Sequence, residues 1–160
     1  MKTANDVLKA IKDNDVKYVD FRFTDPRGKW QHTAQHVSTI EPDIFEEGIM
    51  FDGSSIAGWK AINESDMILM PDASTAVMDP FSAKPQMILF CDIVEPSTGQ
   101  FYSRDPRSTA KRAEAYLKST GIGDTAYFAP EAEFYVFDSV RFDTRQQEGF
   151  YHIDSIAGAW

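Results

Sequence analysis

The sequence predicts an α+β fold: a small β-rich domain with a helix over residues 1–104, followed at 105–160 by the opening of a second domain. Three observations carry that prediction. The run "VKYVDFRFT" alternates apolar and polar residues and is followed by the turn signal "DPRGK" and a second β-rich run, which is the pattern of a hairpin. The run "RDPRSTAKRAEAYLKSTG" carries both start and stop signals of a helix. The run "FAPEAEFYVF", Phe128 to Phe137, is apolar and aromatic enough for a core strand, yet it holds two glutamates, Glu131 and Glu133.

Taken in order, Asn5 can cap a short helix with Val7, Leu8 and Ile11 on one face, ending around "KDND". In "VKYVDFRFT", Val19, Phe21 and Phe23 share one side and Asp20, Arg22 and Thr24 the other. "KWQHTAQHV" is the return strand. His32 and His36 share a face of it but lie ~13 Å apart in a strand, too far to hold one ion, and read as exposed histidines. "PDIFEEG" reads as a short helix closed by Gly48. "IMFDGSSIAGWKAINESD" is rich in Gly, Ser and Asn but studded with Met50, Phe51, Ile56 and Trp59, so it reads as a structured loop lying against another surface.

Two further strands follow, "MILM" and "PQMILFCDIV", the second bounded by Pro96 and the turn "STGQ". In the later helix Asp105 caps, Pro106 takes the first helical position, Ala110, Ala113 and Leu117 mark one face, and Gly121 stops it. "DTRQQEG" is a polar turn. No repeat or low-complexity tract interrupts this order.

The composition narrows the function. With 42% hydrophobic residues, 13% aromatics and 12 phenylalanines among 160 residues, the chain can build a core and is not a disordered segment. A net charge of −9 argues against nucleic acid as the main partner, because phosphate contacts need clustered Lys and Arg. Metal ions or cationic substrates suit an acidic chain better. The single cysteine, Cys91, sits in the apolar run "MILFCDIV" as a small buried hydrophobe, which fits a reducing, cytoplasmic location. No segment approaches the ~18 apolar residues of a membrane-spanning helix, so no membrane partner is expected.

There is no Gly-rich lysine loop for phosphates, no Gly-x-Ser-x-Gly elbow and no His-Glu-x-x-His helix. The sequon at Asn63 means little in a chain with no export signal. Two candidates remain: Asp52 in "FDGSS", which by chemistry alone is more often a turn former than a base, and the Glu131/Glu133 pair. In a strand these two carboxylates share a face with Cα atoms roughly 7 Å apart. At that distance two unit charges repel by about 2.4 kcal/mol at an effective dielectric near 20, and well under 1 kcal/mol in water. Either that face is open to water, as on a half-exposed antiparallel strand, or hard divalent cations sit on it.

"MFDGSSIAGWKAINESDMILMPD", "RDPRSTAKRAEAYL" and "PEAEFYVFD", in this order and spacing, closely resemble the N-terminal part of bacterial type I glutamine synthetase. The resemblance covers Val16 to Trp160. It implies a β-grasp N-terminal domain followed by the beginning of an α/β catalytic domain. It further implies a ligase that condenses glutamate and ammonium at the expense of ATP, through a γ-glutamyl phosphate. By the same resemblance Glu131 and Glu133 would each give one ligand to two different ions, Mg2+ or Mn2+. Asp52 would bind ammonium and take its proton, with Ser55 near that site. The loop, with Phe51 and Trp59 exposed on it, would complete a neighbouring subunit's active site in a dodecamer of two hexameric rings.

The resemblance also implies further carboxylates, a histidine ligand, a nucleotide-binding segment and substrate-binding arginines in the rest of such an enzyme. One carboxylate per ion does not make a tight magnesium site. The 160-residue chain alone is therefore expected to be inactive. The competing expectation is a non-catalytic β-grasp interaction module or a truncated regulatory subunit.

Overall fold

The alternation in "VKYVDFRFT" becomes strand β1 (Tyr18–Thr24) in a computed structural model, which describes residues 3–158. Val19, Phe21 and Phe23 are buried as the period of two requires. The turn after it returns the chain as β2 (Trp30–His36), antiparallel to β1 from Tyr18 opposite His36 to Thr24 opposite Trp30. Asp25 holds this turn: its carboxylate accepts the N–H groups of Arg27 and Lys29, both at 2.9 Å, and the Gln31 amide at 3.0 Å.

Helix α1 (Ala4–Asp13) precedes the hairpin. Its cap is Thr3, not the Asn5 expected from the sequence. The Thr3 hydroxyl accepts the Asp6 N–H at 3.2 Å while the Asp6 carboxylate accepts the Thr3 N–H at 3.1 Å, a reciprocal pair that Asn5, already inside the helix, cannot make. Val7 and Ile11 join the core as expected.

Five further strands follow: β3 (Ile49–Asp52), β4 (Asp66–Pro71), β5 (Val77–Met78), β6 (Gln86–Glu95) and β7 (Gln100–Phe101). Together with the hairpin they form a seven-stranded mixed sheet in the order β2-β1-β6-β4-β3, with β5 and β7 also paired to β6. β6 is central, parallel to β1 and antiparallel to β4. That position explains its continuous apolar sequence, because Met87, Leu89, Cys91 and Ile93 are buried on the core side and Ile88 and Val94 are buried as well. Each such side chain contributes about 1.5–3 kcal/mol on burial. "PDIFEEG" forms a 3-10 turn over Pro42–Phe45, and Gly48 follows with φ +75°, where a Cβ would collide with Ile68 and the Leu69 carbonyl.

Helix α2 (Pro106–Thr120) has the expected ends, Asp105 at its start and Gly121 with φ +69° at its stop. Its expected apolar face is not buried: Ala110 and Ala113 are exposed and Leu117 half-buried. Polar side chains hold the helix to the sheet instead. Arg107 donates to Asp92 on β6 at 2.9 Å and to Asp72, and Lys111 donates to Asp92 at 2.5 Å. The chain divides into two units between Thr125 and Ala126, so α2 lies with the first.

The second unit is built on a hairpin, β8 (Ser139–Thr144) and β9 (Gly149–Asp154), joined by the polar turn expected at "DTRQQEG". Residues 128–137, expected as the strand that carries Glu131 and Glu133, form no strand among the described residues. A run becomes a strand only where another backbone completes its hydrogen bonds. No helix among the described residues is long and apolar enough to cross a membrane.

Candidate active-site loop and metal-binding segment

Asp52 ends β3, on an edge of the sheet, and its carboxylate caps the 3-10 turn Gly53–Ser55. Oδ1 accepts the Ser54 N–H at 2.8 Å and the Ser54 hydroxyl at 2.6 Å. Gly53 is required at the bend because it is buried, its N–H donates to the Ser65 carbonyl at 2.7 Å, and a Cβ there would run into the Met67 side chain. The Asp52 side chain itself is exposed. The Ser54 hydroxyl and N–H, outweighing slight desolvation and helped by the Ser65 hydroxyl, hold its carboxyl below the ordinary value of 3.8. It is a fixed anion. Ser55 is exposed beside it, and the hydroxyls that act on Asp52 are those of Ser54, at 2.6 Å, and Ser65.

The rings of the loop are not on the outside. Trp59 is only 5% exposed, against Phe23 at 5.5 Å and Tyr102 at 5.6 Å between ring centroids, and Phe51 is half-buried against Phe23 at 5.1 Å. The exposed pair expected from the sequence is corrected accordingly. The Trp59 carbonyl accepts the Tyr102 hydroxyl at 2.9 Å and the Gly58 carbonyl accepts Arg104 at 2.7 Å, so the loop is pinned from behind. Beyond it lies a solvent-open cleft of about 780 Å³, bordered by Lys60, Glu64, Asp66 and Glu95. Lys60 is paired there with Glu95 at 2.7 Å, which raises the lysine pKa, and Asp52 does not line the cleft.

Glu131 and Glu133 are exposed in the second unit. The stacked, nearly parallel rings of Tyr135 and Phe137, 5.9 Å apart, fit an extended backbone in which alternate residues share a side. As hard oxygen donors the two carboxylates suit magnesium or manganese. In number they do not complete a site, because no group of three or more His, Cys, Asp or Glu side chains able to hold an ion occurs among the described residues.

The sequence reading missed two charged clusters. One is the Asp72–Arg107–Asp92–Lys111 network, whose signal was present, since "DAS" at 72–74 repeats the Asp-x-Ser of "DGS" at 52–54. The other lies on the outer face of β1: Asp20, buried, accepts Arg22 and His32, each at 2.7 Å, and Arg22 reaches on to Asp79. His32 stays exposed but has a partner.

A family model described as the glutamine synthetase β-grasp domain matches residues 15–96, and one described as the glutamine synthetase catalytic domain matches 103–159. The chain belongs to the glutamine synthetase family. A glutamine synthetase of Bradyrhizobium diazoefficiens is 65% identical over 155 residues, covering 97% of this chain and 33% of that protein. One of Azospirillum brasilense is 64% identical over 160 residues, all of this chain and 34% of that protein. A protein of Cupriavidus pinatubonensis named 3-hydroxylaminophenol mutase is 58% identical over 155 residues, 97% of this chain and 33% of that protein. The chain thus spans about a third of the length of the curated relatives it matches. The cryo-EM structure of Plasmodium falciparum glutamine synthetase shares the fold, with a TM-score of 0.75 at 24% identity over 96% of this chain and 30% of that one. The mixed sheet with α1 contributing to its core is accordingly a β-grasp domain.

Proposed function

We propose that this chain is the N-terminal part of a glutamate–ammonia ligase, a cytoplasmic dodecamer that makes glutamine from glutamate, ammonium and ATP, and that its catalytic domain begins at residue 105. The observation that supports this most is the fixed, ionised carboxylate of Asp52 on a rigidly pinned loop, in a chain both of whose halves match that family.

The reaction needs two steps. The glutamate side-chain carboxylate attacks the γ-phosphorus of ATP and ADP leaves; ammonia then attacks the acyl phosphate and phosphate leaves. Divalent ions, when bound, neutralise phosphate charge, and Glu131 and Glu133 would each contribute one carboxylate to holding them. Asp52 serves the second step. Its charge attracts ammonium, and its oxygen is the acceptor for the proton that must leave before nitrogen can attack. Because its pKa is lowered, Asp52 is a weak base, so proton transfer runs uphill and is completed only as ammonia is consumed. Electrostatic capture is therefore its main contribution. The loop reaches a neighbouring subunit through Asp52 and Ser55, while Phe51 and Trp59 support it from within.

The test is Asp52→Asn in the full-length synthetase. The ammonium KM should rise by at least about tenfold, the effect of removing one charged partner, while the KM values for ATP and glutamate hold. An unchanged ammonium KM would remove Asp52 from the site. The 160-residue chain alone should form no glutamine above background, and a measurable rate would refute the requirement for the remaining ligands.

A further inference from the structure

The Asp52 turn has a structural twin. Asp72 caps a second 3-10 turn, Ala73–Thr75, and its Oδ1 accepts the Ser74 N–H at 2.9 Å and the Ser74 hydroxyl at 2.6 Å. The corresponding distances at Asp52 are 2.8 and 2.6 Å. Both turns take one carboxylate oxygen out of circulation with two donors from a single serine. In the Asp72 copy the other oxygen, Oδ2, receives the guanidinium of Arg107. The turn is thus a device that locks a carboxylate and directs its second oxygen at a cation.

The Asp52 copy has no Lys or Arg on it among the described residues. Its cross-strand neighbour on β4 is another acid, Asp66, directly opposite in the register and so on the same face. Like charges in that arrangement repel, which favours a cation between or beside them. An unlocked aspartate would turn about two side-chain bonds and would have to be ordered each time a cation bound.

We propose that Ser54 is a positioning residue: its hydroxyl and N–H hold Oδ1 of Asp52 so that Oδ2 stands ready for the ammonium ion. This rests on the reading of Asp52 as the ammonium-binding carboxylate. Ser54 does not touch the substrate. It acts by fixing the direction of the group that does, and the lowered pKa of Asp52, caused first by the Ser54 hydroxyl, reports the same contact.

Two measurements test it. In this chain, a carbon-detected NMR titration follows the Asp52 carboxyl in wild type, Ser54→Ala and Ser54→Thr. The midpoint should rise toward the ordinary 3.8 in Ser54→Ala and return in Ser54→Thr, with other amide signals unmoved. In the full-length synthetase, Ser54→Ala should raise the ammonium KM by about tenfold, as expected for one lost hydrogen bond to a charged group, leaving the glutamate and ATP KM values unchanged. Ser74→Ala, at the twin turn, should leave the ammonium KM where it was.

An unshifted Asp52 midpoint in folded Ser54→Ala overturns the proposal. So does a shifted midpoint with an unchanged ammonium KM while Asp52→Asn raises it, because the serine then shapes the loop and nothing more. If neither Asp52→Asn nor Ser54→Ala moves the ammonium KM, the reading of Asp52 itself fails and the proposal goes with it. Should Ser54→Ala not fold, Ser54→Thr decides: a folded threonine variant that loses both values overturns the hydroxyl's role.

Discussion

Replacing Asp105 by alanine should be among the most damaging single changes in the first unit, although Asp105 touches no substrate in the proposed reaction. Its side chain is fully buried at the start of α2. Oδ1 accepts the Arg107 N–H at 3.1 Å, while Oδ2 accepts the Ser108 N–H at 3.0 Å, the Ser108 hydroxyl at 2.5 Å and the Ile93 N–H of β6 at 3.4 Å. Removing the cap costs about 1 kcal/mol. The Ser108 hydroxyl, itself buried, then loses its acceptor, and a buried unsatisfied donor costs about 1–3 kcal/mol. The Ile93 contact is long and adds little. A total near 3 kcal/mol follows, a large share of the roughly 5–15 kcal/mol that stabilises a domain.

Urea denaturation followed by tryptophan fluorescence measures it, with buried Trp59 as reporter. The midpoint should fall by about 1.5 M at an m-value near 2 kcal/mol/M. The double variant Asp105→Ala/Ser108→Ala should recover about 1 kcal/mol, because the orphaned hydroxyl is gone. A loss below about 1 kcal/mol in Asp105→Ala, or no recovery in the double variant, would show that water satisfies these donors and that the cap is not what joins α2 to β6.

Gly48→Ala should destabilise by at least about 2 kcal/mol in the same assay, since it meets both a positive φ and the Ile68 and Leu69 atoms a Cβ would strike; a neutral result would mean the turn relaxes freely. Acid should weaken the first unit in a defined window. Asp25, through Gln31 first, Asp52, through Ser54 first, and Asp72 all have folded pKa values below 3.8; burial acts to raise Asp72, but Ser74 and Arg107 outweigh it. Their stabilisation is complete above 3.8 and is lost as the pH falls through the lower folded values, so denaturation midpoints should hold down to about pH 4 and drop below it. A midpoint that rises on acidification contradicts these directions. Burial pushes the Cys91 thiol far up, so Ellman's reagent should label it only at the rate of unfolding, and labelling independent of urea would place it at the surface.

The parts of the fold legible in the sequence are those fixed by neighbours in the chain. The alternation around Phe21, the Asp-Pro start and glycine stop of α2, and the run through Cys91 each express a local rule, and each is realised. What escaped reading depends on distant partners. Asp20 alternates onto the outer face as expected, yet it is buried because Arg22 and His32, the latter from the adjacent strand, close over it. Trp59 reads as a loop ring reaching outward, but Phe23 and Tyr102, far away in sequence, enclose it. The Ala110–Ala113–Leu117 stripe marks a helical period correctly, but two methyl groups bury too little to dock a helix, and Arg107 and Lys111 do so instead. At the candidate site the family resemblance singled out Asp52, with Ser55 near it, and not Ser54, the serine that holds it, because the Asp-x-Ser turn is recognisable only beside its twin at Asp72.

The segment from Ala126 to Phe137 bears on what this chain can do by itself. Phe134 is 82% exposed, and Tyr135 and Val136 are exposed as well, so its aromatic surface faces water, and the stacked Tyr135 and Phe137 rings fit an extended backbone although no strand forms there among the described residues. Aromatic and β-branched residues favour that extended form before any pairing. On such a backbone the two glutamates share a side, with Cα atoms roughly 7 Å apart. Neither glutamate alone nor the pair completes the octahedral shell such an ion requires, so most of its ligands remain water. A single carboxylate replaces one water of a hydrated ion and leaves the rest of its shell intact, which gives little net affinity. Titration of this chain with Mn2+ should therefore show binding at Glu131 and Glu133 no tighter than on the order of millimolar, and Glu131→Gln should hardly change it. Micromolar binding lost in Glu131→Gln would mean that the segment assembles a complete ion site from residues of this chain alone, contrary to the proposed sharing of ligands with the rest of the synthetase.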